Sequence, residues 1–248
     1  MSRVVITAGA SGIGRAMAEA FHDAGHDVWV IDLEDAGDVP WRARVADVTD
    51  EARMAAIWAD IETDWGGVDV LCANAGIAGP TALVEDIQLA DWQRCVSVNL
   101  EGAFLAAKYA SPLMKRQGAG AIILTSSTAG IYGYPNRAPY AAAKWGIIGL
   151  MKTLAMELGP FGIRANAICP GAVEGPRMEG VLEREATAKG MTRDEVYAGY
   201  ASGTSMRTFV HAEDVAQMAL FLGSDAARRV SGQVIAVDGH TENPDPKP

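Results

Sequence analysis

Short apolar runs alternate along this chain with longer stretches in which apolar positions recur at helical spacing. Strands are predicted at 3–7 (RVVIT), 27–31 (DVWVI), 43–46, 68–73 (VDVLCA), 120–125 (GAIILT), 163–168 and 233–237 (QVIAV). Helices are predicted between them at 13–24, 50–65, 91–117, 139–159 and 213–223, the last opened by Glu213 and Asp214 in its first turn. This alternation predicts an α/β fold, one seven-stranded parallel sheet with helices on both faces. Residues 34–40 (EDAGDVP) leave too little chain for a helix between the second and third strands, so that side of the sheet is expected to be thinly covered.

Composition narrows the function classes. A chain of 248 residues, 49% hydrophobic and 21% charged, buries a sizeable core as one domain spanning 1–248. No apolar run approaches the roughly 20 residues a membrane crossing needs, and the N-terminus enters a strand without a signal pattern, so no membrane partner and a cytoplasmic location are expected. Cys72, Cys95 and Cys169 lie far apart without paired spacing, which argues against disulfides or a zinc site; no metal is expected. A net charge of −10 with no Lys/Arg cluster argues against a nucleic-acid surface.

The first strand runs into TAGASGIG, residues 7–14, and then into a helical pattern. In that context Gly9, Gly12 and Gly14 let the backbone turn tightly and approach a pyrophosphate at the helix N-terminus, with Ser11 and Ile13 in the same loop. The unit is a Rossmann-type nucleotide site. Asp32 ends the second strand, where a carboxylate accepts hydrogen bonds from a ribose diol and repels a 2′-phosphate. With Leu33 and Glu34 next and no arginine beside it, the preference is for NAD over NADP. Asp47, beside Val48 in the segment ADVT, is a candidate adenine contact.

Tyr140 and Lys144, in YAAAK, share one face of a helix. The lysine ammonium stabilises the phenolate and brings the tyrosine pKa down from about 10 toward a useful range. Ser127, at the end of an apolar strand, is placed to hold a substrate oxygen while Tyr140 takes or gives the proton.

TAGASGIG, Asp32, ANAG at 73–76, Asn99 in SVNLEG, Ser127 in TSST, YAAAK, and PGAV at 170–173 together resemble the short-chain dehydrogenase/reductase family, in order and over nearly the whole chain. The resemblance implies an NAD-dependent oxidoreductase that interconverts a small polar secondary alcohol and its ketone. It casts Tyr140 as general acid/base, Ser127 as the polariser of the substrate oxygen and Lys144 as ribose ligand and pKa modulator. Asn99 would hold a water on the lysine. Asn74, Ala75 and Gly76 would support the cofactor, and the backbone of Pro170, Gly171 and Val173 would meet the nicotinamide carboxamide. Three departures stand out: Ala8 where the family carries glycine, so that the first turn must tolerate a Cβ; Ala73 in place of the first of two asparagines; and Gly175 where a threonine is usual.

Substrate specificity is expected from the segments after Ser127 and after the sixth strand. Tyr132, Tyr134, Asn136, Arg137, Arg177 and Arg207 are candidate lining residues, and an arginine there can grip a carboxylate, phosphate or sulfonate unless the many neighbouring glutamates pair it. Polyol, sugar, hydroxy acid and hydroxysulfonate all fit. Residues 174–210 are expected to form a helical lid, and 243–248 a frayed tail. The resemblance also implies a homotetramer. Competing readings are an NADPH-dependent ketoreductase of the 3-oxoacyl-carrier type, which Asp32 disfavours, and a catalytically silent NAD(H) sensor, which the intact Ser127, Tyr140 and Lys144 disfavour. Enoyl reductases of related fold space the tyrosine and lysine more widely.

Overall fold

Strand residues alternate between two apolar layers, and that alternation fixes where every helix packs. The computed structural model describes residues 1–244. Its sheet is built from β1 (Arg3–Thr7), β2 (Asp27–Asp32), β3 (Arg42–Val45), β4 (Val70–Ala73), β5 (Gly120–Thr125), β6 (Ile163–Pro170) and β7 (Val234–Val237), all parallel, in the order β3-β2-β1-β4-β5-β6-β7. Val5, Ile31, Leu71 and Ile122 turn to one face, against α2 (Glu51–Trp65), α4 (Gly102–Gln117) and α5 (Ala138–Leu158). Val4, Ile6, Val30, Cys72 and Ile123 turn to the other, against α1 (Gly12–Asp23) and α8 (Ala212–Gly223). A sheet buried on both faces needs near-continuous apolar strands, which is what β1, β2, β4 and β5 carry.

The order in which strands are added reverses between β1 and β4, opening a crevice at their carboxyl ends. As expected, β2 and β3 are joined without a helix, and β3 is the exposed edge. The helix expected at 91–117 is instead two helices, α3 (Leu89–Val96) and α4, joined by a wide π turn at Ser97–Glu101. That turn adds a residue to the helical spacing, and it contains Asn99.

Residues beyond β6 form α6 (Pro176–Lys189) and α7 (Arg193–Ser202). They share an apolar cluster of Leu182, Ala186, Val196 and Phe209, with Tyr197 stacked on Phe209 at 4.3 Å. A bridge between Val173 and Val210 closes the base of this excursion. Of the expected tail, Asn243 is tied down, its amide donating to the Gly203 carbonyl at 3.0 Å; positions 245–248 lie outside the described residues. Among the described residues no helix is long and apolar enough to cross a membrane.

Candidate active site

The glycine loop between β1 and α1 is shaped by contacts at both ends. A Cβ on Gly14 would lie 1.9 Å from the Ala8 carbonyl oxygen, and one on Gly9 would lie 2.7 Å from the Val30 side chain. These two glycines therefore permit close packing of loop, helix and sheet. Gly12 differs: its φ is +52° and a Cβ there would meet nothing within 4 Å, so backbone conformation and open space, not crowding, call for glycine. Ser11 makes no side-chain cap, and the first turn of α1 contains no acidic residue. The positive end of α1 is thus left for an outside anion, and these residues fit a dinucleotide pyrophosphate. Ala8 takes up φ 54°, the left-handed region that its family counterpart glycine adopts freely. Its amide still donates to the Ile31 carbonyl at 2.7 Å, so the loop is retained at the cost of local strain.

Behind the loop, the Thr7 hydroxyl accepts from the amides of Asn74 and Ala75 at 3.0 and 3.1 Å, and Asn74 Nδ2 donates to the Ala8 carbonyl at 3.3 Å. Thr7 was not singled out in the sequence, since a threonine ending a strand is ordinary there. Asp32 accepts from the Ala10 amide at 2.8 Å and the Glu34 amide at 3.1 Å, which fixes its carboxylate beside the loop. Leu33 is exposed. Asp47 is held by the Thr49 amide and hydroxyl and by Arg94 at 3.3 Å; burial opposes its ionisation, but these donors keep its carboxyl below the usual range. Val48 packs its side chain against Gly102, so only its backbone is available to a ligand.

A cavity of about 290 Å³ opens at the carboxyl ends of the strands and brings Gly12, Ile13, Asn74 and Gly76 together with Ser127, Tyr140, Lys144, Pro170, Gly171 and Val173. Ser127 caps a short 3-10 turn, its hydroxyl accepting from the Ala129 amide at 3.1 Å. Tyr140 and Lys144 project from the first two turns of α5, which begins at Ala138 with Pro139 next, a residue pre-set for a helix start. Lys144 is buried and donates from Nζ to the Thr125 carbonyl at 2.8 Å, while Ser126 Oγ donates to the Lys144 carbonyl at 2.8 Å and locks α5 to β5. Burial, with the positive charge of Arg177, holds the Lys144 ammonium below its ordinary pKa despite the opposing pull of Tyr140. For Tyr140, burial alone would raise the phenol; the charge of Lys144, then Arg177, a hydrogen bond from Ser127 and the charge of Arg137 outweigh it and bring the pKa down.

Asn99 is fully buried in the π turn. Its Nδ2 donates to the carbonyls of Cys95 at 2.8 Å and Ile77 at 3.0 Å, yet its Oδ1 has no partner. A Cβ on Gly76 would meet that Oδ1 at 2.5 Å and Lys144 Nζ at 3.3 Å, so both atoms border the same spot. An orphaned buried acceptor beside a lysine fits a bound water.

Of the expected substrate residues, Tyr134, Arg137 and Arg177 line the cavity. Tyr132, Asn136 and Arg207 do not, and the expectation is corrected for them. Tyr132 turns its hydroxyl to the Thr241 carbonyl at 3.1 Å, Asn136 adopts φ 61° and its carbonyl accepts from the distant Ala82 amide at 3.0 Å, and Arg207 is exposed and donates to the Ser202 carbonyl. Tyr134 is bonded to Thr128 Oγ1 at 3.0 Å, and burial pushes its phenol up to about 12. Arg137 is buried, stacks over the Tyr140 ring at 4.8 Å, donates to the Ala78 carbonyl and faces Glu185 of α6 at 3.6 Å. Glu185, also buried, accepts from Tyr200 of α7 at 2.7 Å and from Lys189 at 3.2 Å. Nothing in the sequence marks Glu185 among its neighbouring acidic residues.

A family model described as enoyl-(acyl carrier protein) reductase matches residues 7–240. Among the relatives is the cis-4-hydroxycyclohexanecarboxylate dehydrogenase of Sinomonas cyclohexanicum, 36% identical over 95% of this chain and 94% of that protein. The crystal structure of levodione reductase superposes with a TM-score of 0.91 at 32% identity, covering 96% of each chain. That of NAD⁺-bound xylitol dehydrogenase gives 0.91 at 29% identity, over 96% of this chain and 98% of that one. Matched in this way almost from end to end, the chain belongs to the short-chain dehydrogenases/reductases, nicotinamide-dependent oxidoreductases that act on CH–OH groups and interconvert secondary alcohols and ketones.

Proposed function

We propose that this enzyme uses NAD to oxidise a small polar secondary alcohol, with Ser127, Tyr140, Lys144 and Asn99 as its chemical apparatus. The observation that carries the reading is the meeting of Ser127, Tyr140 and Lys144 in one cavity at the strand ends, with the open Oδ1 of Asn99 bordering the same spot beside Gly76 as Lys144 Nζ. A bound nicotinamide supplies the acceptor for hydride leaving the carbinol carbon. Ser127 holds the substrate oxygen, and Tyr140 as phenolate takes its proton. The Lys144 ammonium stabilises that phenolate, and a water between Lys144 and the open Oδ1 of Asn99 carries the proton on toward solvent. The choice of NAD is supported by Asp32, whose carboxylate is fixed beside the glycine loop by the Ala10 and Glu34 amides. The four-residue step from Tyr140 to Lys144 favours alcohol chemistry over enoyl reduction.

The helices α6 and α7 serve as the lid over the substrate. Three buried thiols suit a reducing cytoplasm. Exposed apolar residues on α4 and α5 and just after α5, Phe104, Trp145, Met156 and Phe161, suit a homotetramer; a chain sedimenting as a monomer at micromolar concentration counts against it. The test of the chemistry is NADH formation across a panel of polyols, sugars, hydroxy acids and hydroxysulfonates, in wild type and Tyr140→Phe. The variant is expected to bind NADH normally and to lose at least about a hundredfold in kcat. Undiminished turnover removes Tyr140 from the chemistry.

A further inference from the structure

The cavity beside Tyr140 is cationic in an acidic protein. The chain carries 31 Asp and Glu against 21 Lys and Arg, yet Arg137, Lys144 and Arg177 line this cavity and Glu174 is the carboxylate among its lining residues. Two of the cations are committed. Lys144 donates to the Thr125 carbonyl, and Arg137 faces Glu185 and donates to the Ala78 carbonyl. Glu174 accepts from the Tyr197 hydroxyl at 2.9 Å, and Glu179, in the first turn of the same helix as Arg177, is held by Arg193 at 2.6 Å. Arg177 is left: among the described residues its guanidinium has neither a hydrogen bond nor an ion pair. It is the second residue of α6, whose N-cap Gly175 has no side chain to satisfy the first-turn amides, so the positive end of that helix lies beside it. It is solvent-exposed and lines the same cavity as Tyr140 and Lys144, which places it within reach of a molecule reacting there.

We infer that Arg177 anchors a carboxylate on the substrate, so that the enzyme's substrate is a small hydroxy acid and not a neutral polyol or sugar. This rests on the dehydrogenase reading above and narrows its substrate class. One free guanidinium presents a planar fork matched to one planar monoanion. A phosphate dianion would need further donors and would be repelled by Glu174 about twice as strongly as a carboxylate monoanion. Carried at the start of the lid helix, the anchor also couples substrate binding to lid position: an acid that engages Arg177 holds α6 over the reacting carbon.

The test separates binding from turnover. Calorimetric titration of the NADH complex with unreactive butyrate and cyclohexanecarboxylate, and with the corresponding amides, is expected to show the acids binding at least about tenfold tighter. In Arg177→Gln that preference disappears while the NADH affinity is kept, and Arg177→Lys restores part of it. In turnover, Arg177→Gln raises KM for a hydroxy acid about tenfold more than for its methyl ester. Equal binding of acid and amide to the wild type overturns the inference, as does an equal loss for both in the variant. Weakened NADH binding in Arg177→Gln also overturns it, by placing the arginine on the cofactor phosphates, and so does tighter binding of alkyl sulfonates than of carboxylates. Because these titrations need no turnover, they read the anchor even in Tyr140→Phe, and a failure of the dehydrogenase reading stays distinguishable.

Discussion

Replacing Glu185 by methionine strands a charge. In the folded protein Arg137 is 6% exposed, and its carboxylate partner Glu185 is 2% exposed. With Glu185 gone, Arg137 keeps only the Ala78 carbonyl, its Nε being already without a partner, and the Tyr200 hydroxyl loses its acceptor. Removing one member of a buried pair costs about 3–5 kcal/mol. Removing the other member costs less here, because in Arg137→Met the Glu185 carboxylate retains Lys189 at 3.2 Å and Tyr200 at 2.7 Å; a lost charged hydrogen bond is worth about 1.5–3 kcal/mol. The double variant removes both charges and is expected to sit close to Arg137→Met, so the two losses are far from additive. For a chain of this size 1 kcal/mol moves Tm by roughly 2–4 °C, which puts Glu185→Met roughly 10 °C below wild type and Arg137→Met about half as far. The assay is thermal and urea unfolding of the nucleotide-free enzyme at one fixed protein concentration, with limited proteolysis around Gly190 to follow undocking of the lid helices. An Arg137→Met loss equal to or larger than that of Glu185→Met, or simple additivity in the double variant, refutes the reasoning.

Other outcomes follow from the same geometry. The pH dependence of alcohol oxidation is expected to rise as Tyr140 loses its proton, with a midpoint below the ordinary tyrosine value. Arg137→Met moves that midpoint upward, since a cation 4.8 Å from the ring no longer favours the phenolate; an unmoved or lowered midpoint refutes the assignment. Asp32→Ala is expected to cut kcat/KM with NAD by about tenfold or more and to leave NADP less disfavoured, read from the ratio of the two. Ala8→Gly relieves a left-handed alanine worth about 1–2 kcal/mol while adding chain entropy of roughly 0.5–1 kcal/mol, so a net gain of about 0.5–1 kcal/mol in urea unfolding is expected, and a loss counts against strain at that turn.

The sheet could be read from the chain because each strand carries its own evidence. A run such as RVVIT or GAIILT carries three or more consecutive apolar residues without alternation, and a strand buried on both faces makes use of that; β1 and β5 fall on the expected residues. The missing crossover helix was equally legible, as a shortage of residues between Asp32 and Arg42. The break at Ser97–Glu101 was not. Apolar spacing in that stretch is continuous enough to read as one helix, and what widens the turn is a tertiary demand. Asn99 must reach the Ile77 carbonyl while its Oδ1 faces Lys144 across Gly76.

The site divides the same way, by the range over which its parts are specified. Tyr140 and Lys144 share a helix face, and the glycines share a loop, so local spacing reveals them. Arginines in the two segments flanking the site were equally visible, but their fates depend on partners far along the chain. Arg137 is claimed by Glu185 from the lid, Arg207 by the Ser202 carbonyl, and Arg177 by nothing among the described residues. Three arginines indistinguishable by composition thus become a structural tie, a surface contact and an open cation. A buried pair such as Arg137 with Glu185 adds little net stability over apolar packing. Its presence beside Tyr140 is better accounted for by position: it fixes a cation over the Tyr140 ring and ties α5 to α6, so the helix that carries Arg177 is registered to the residue proposed to move the proton.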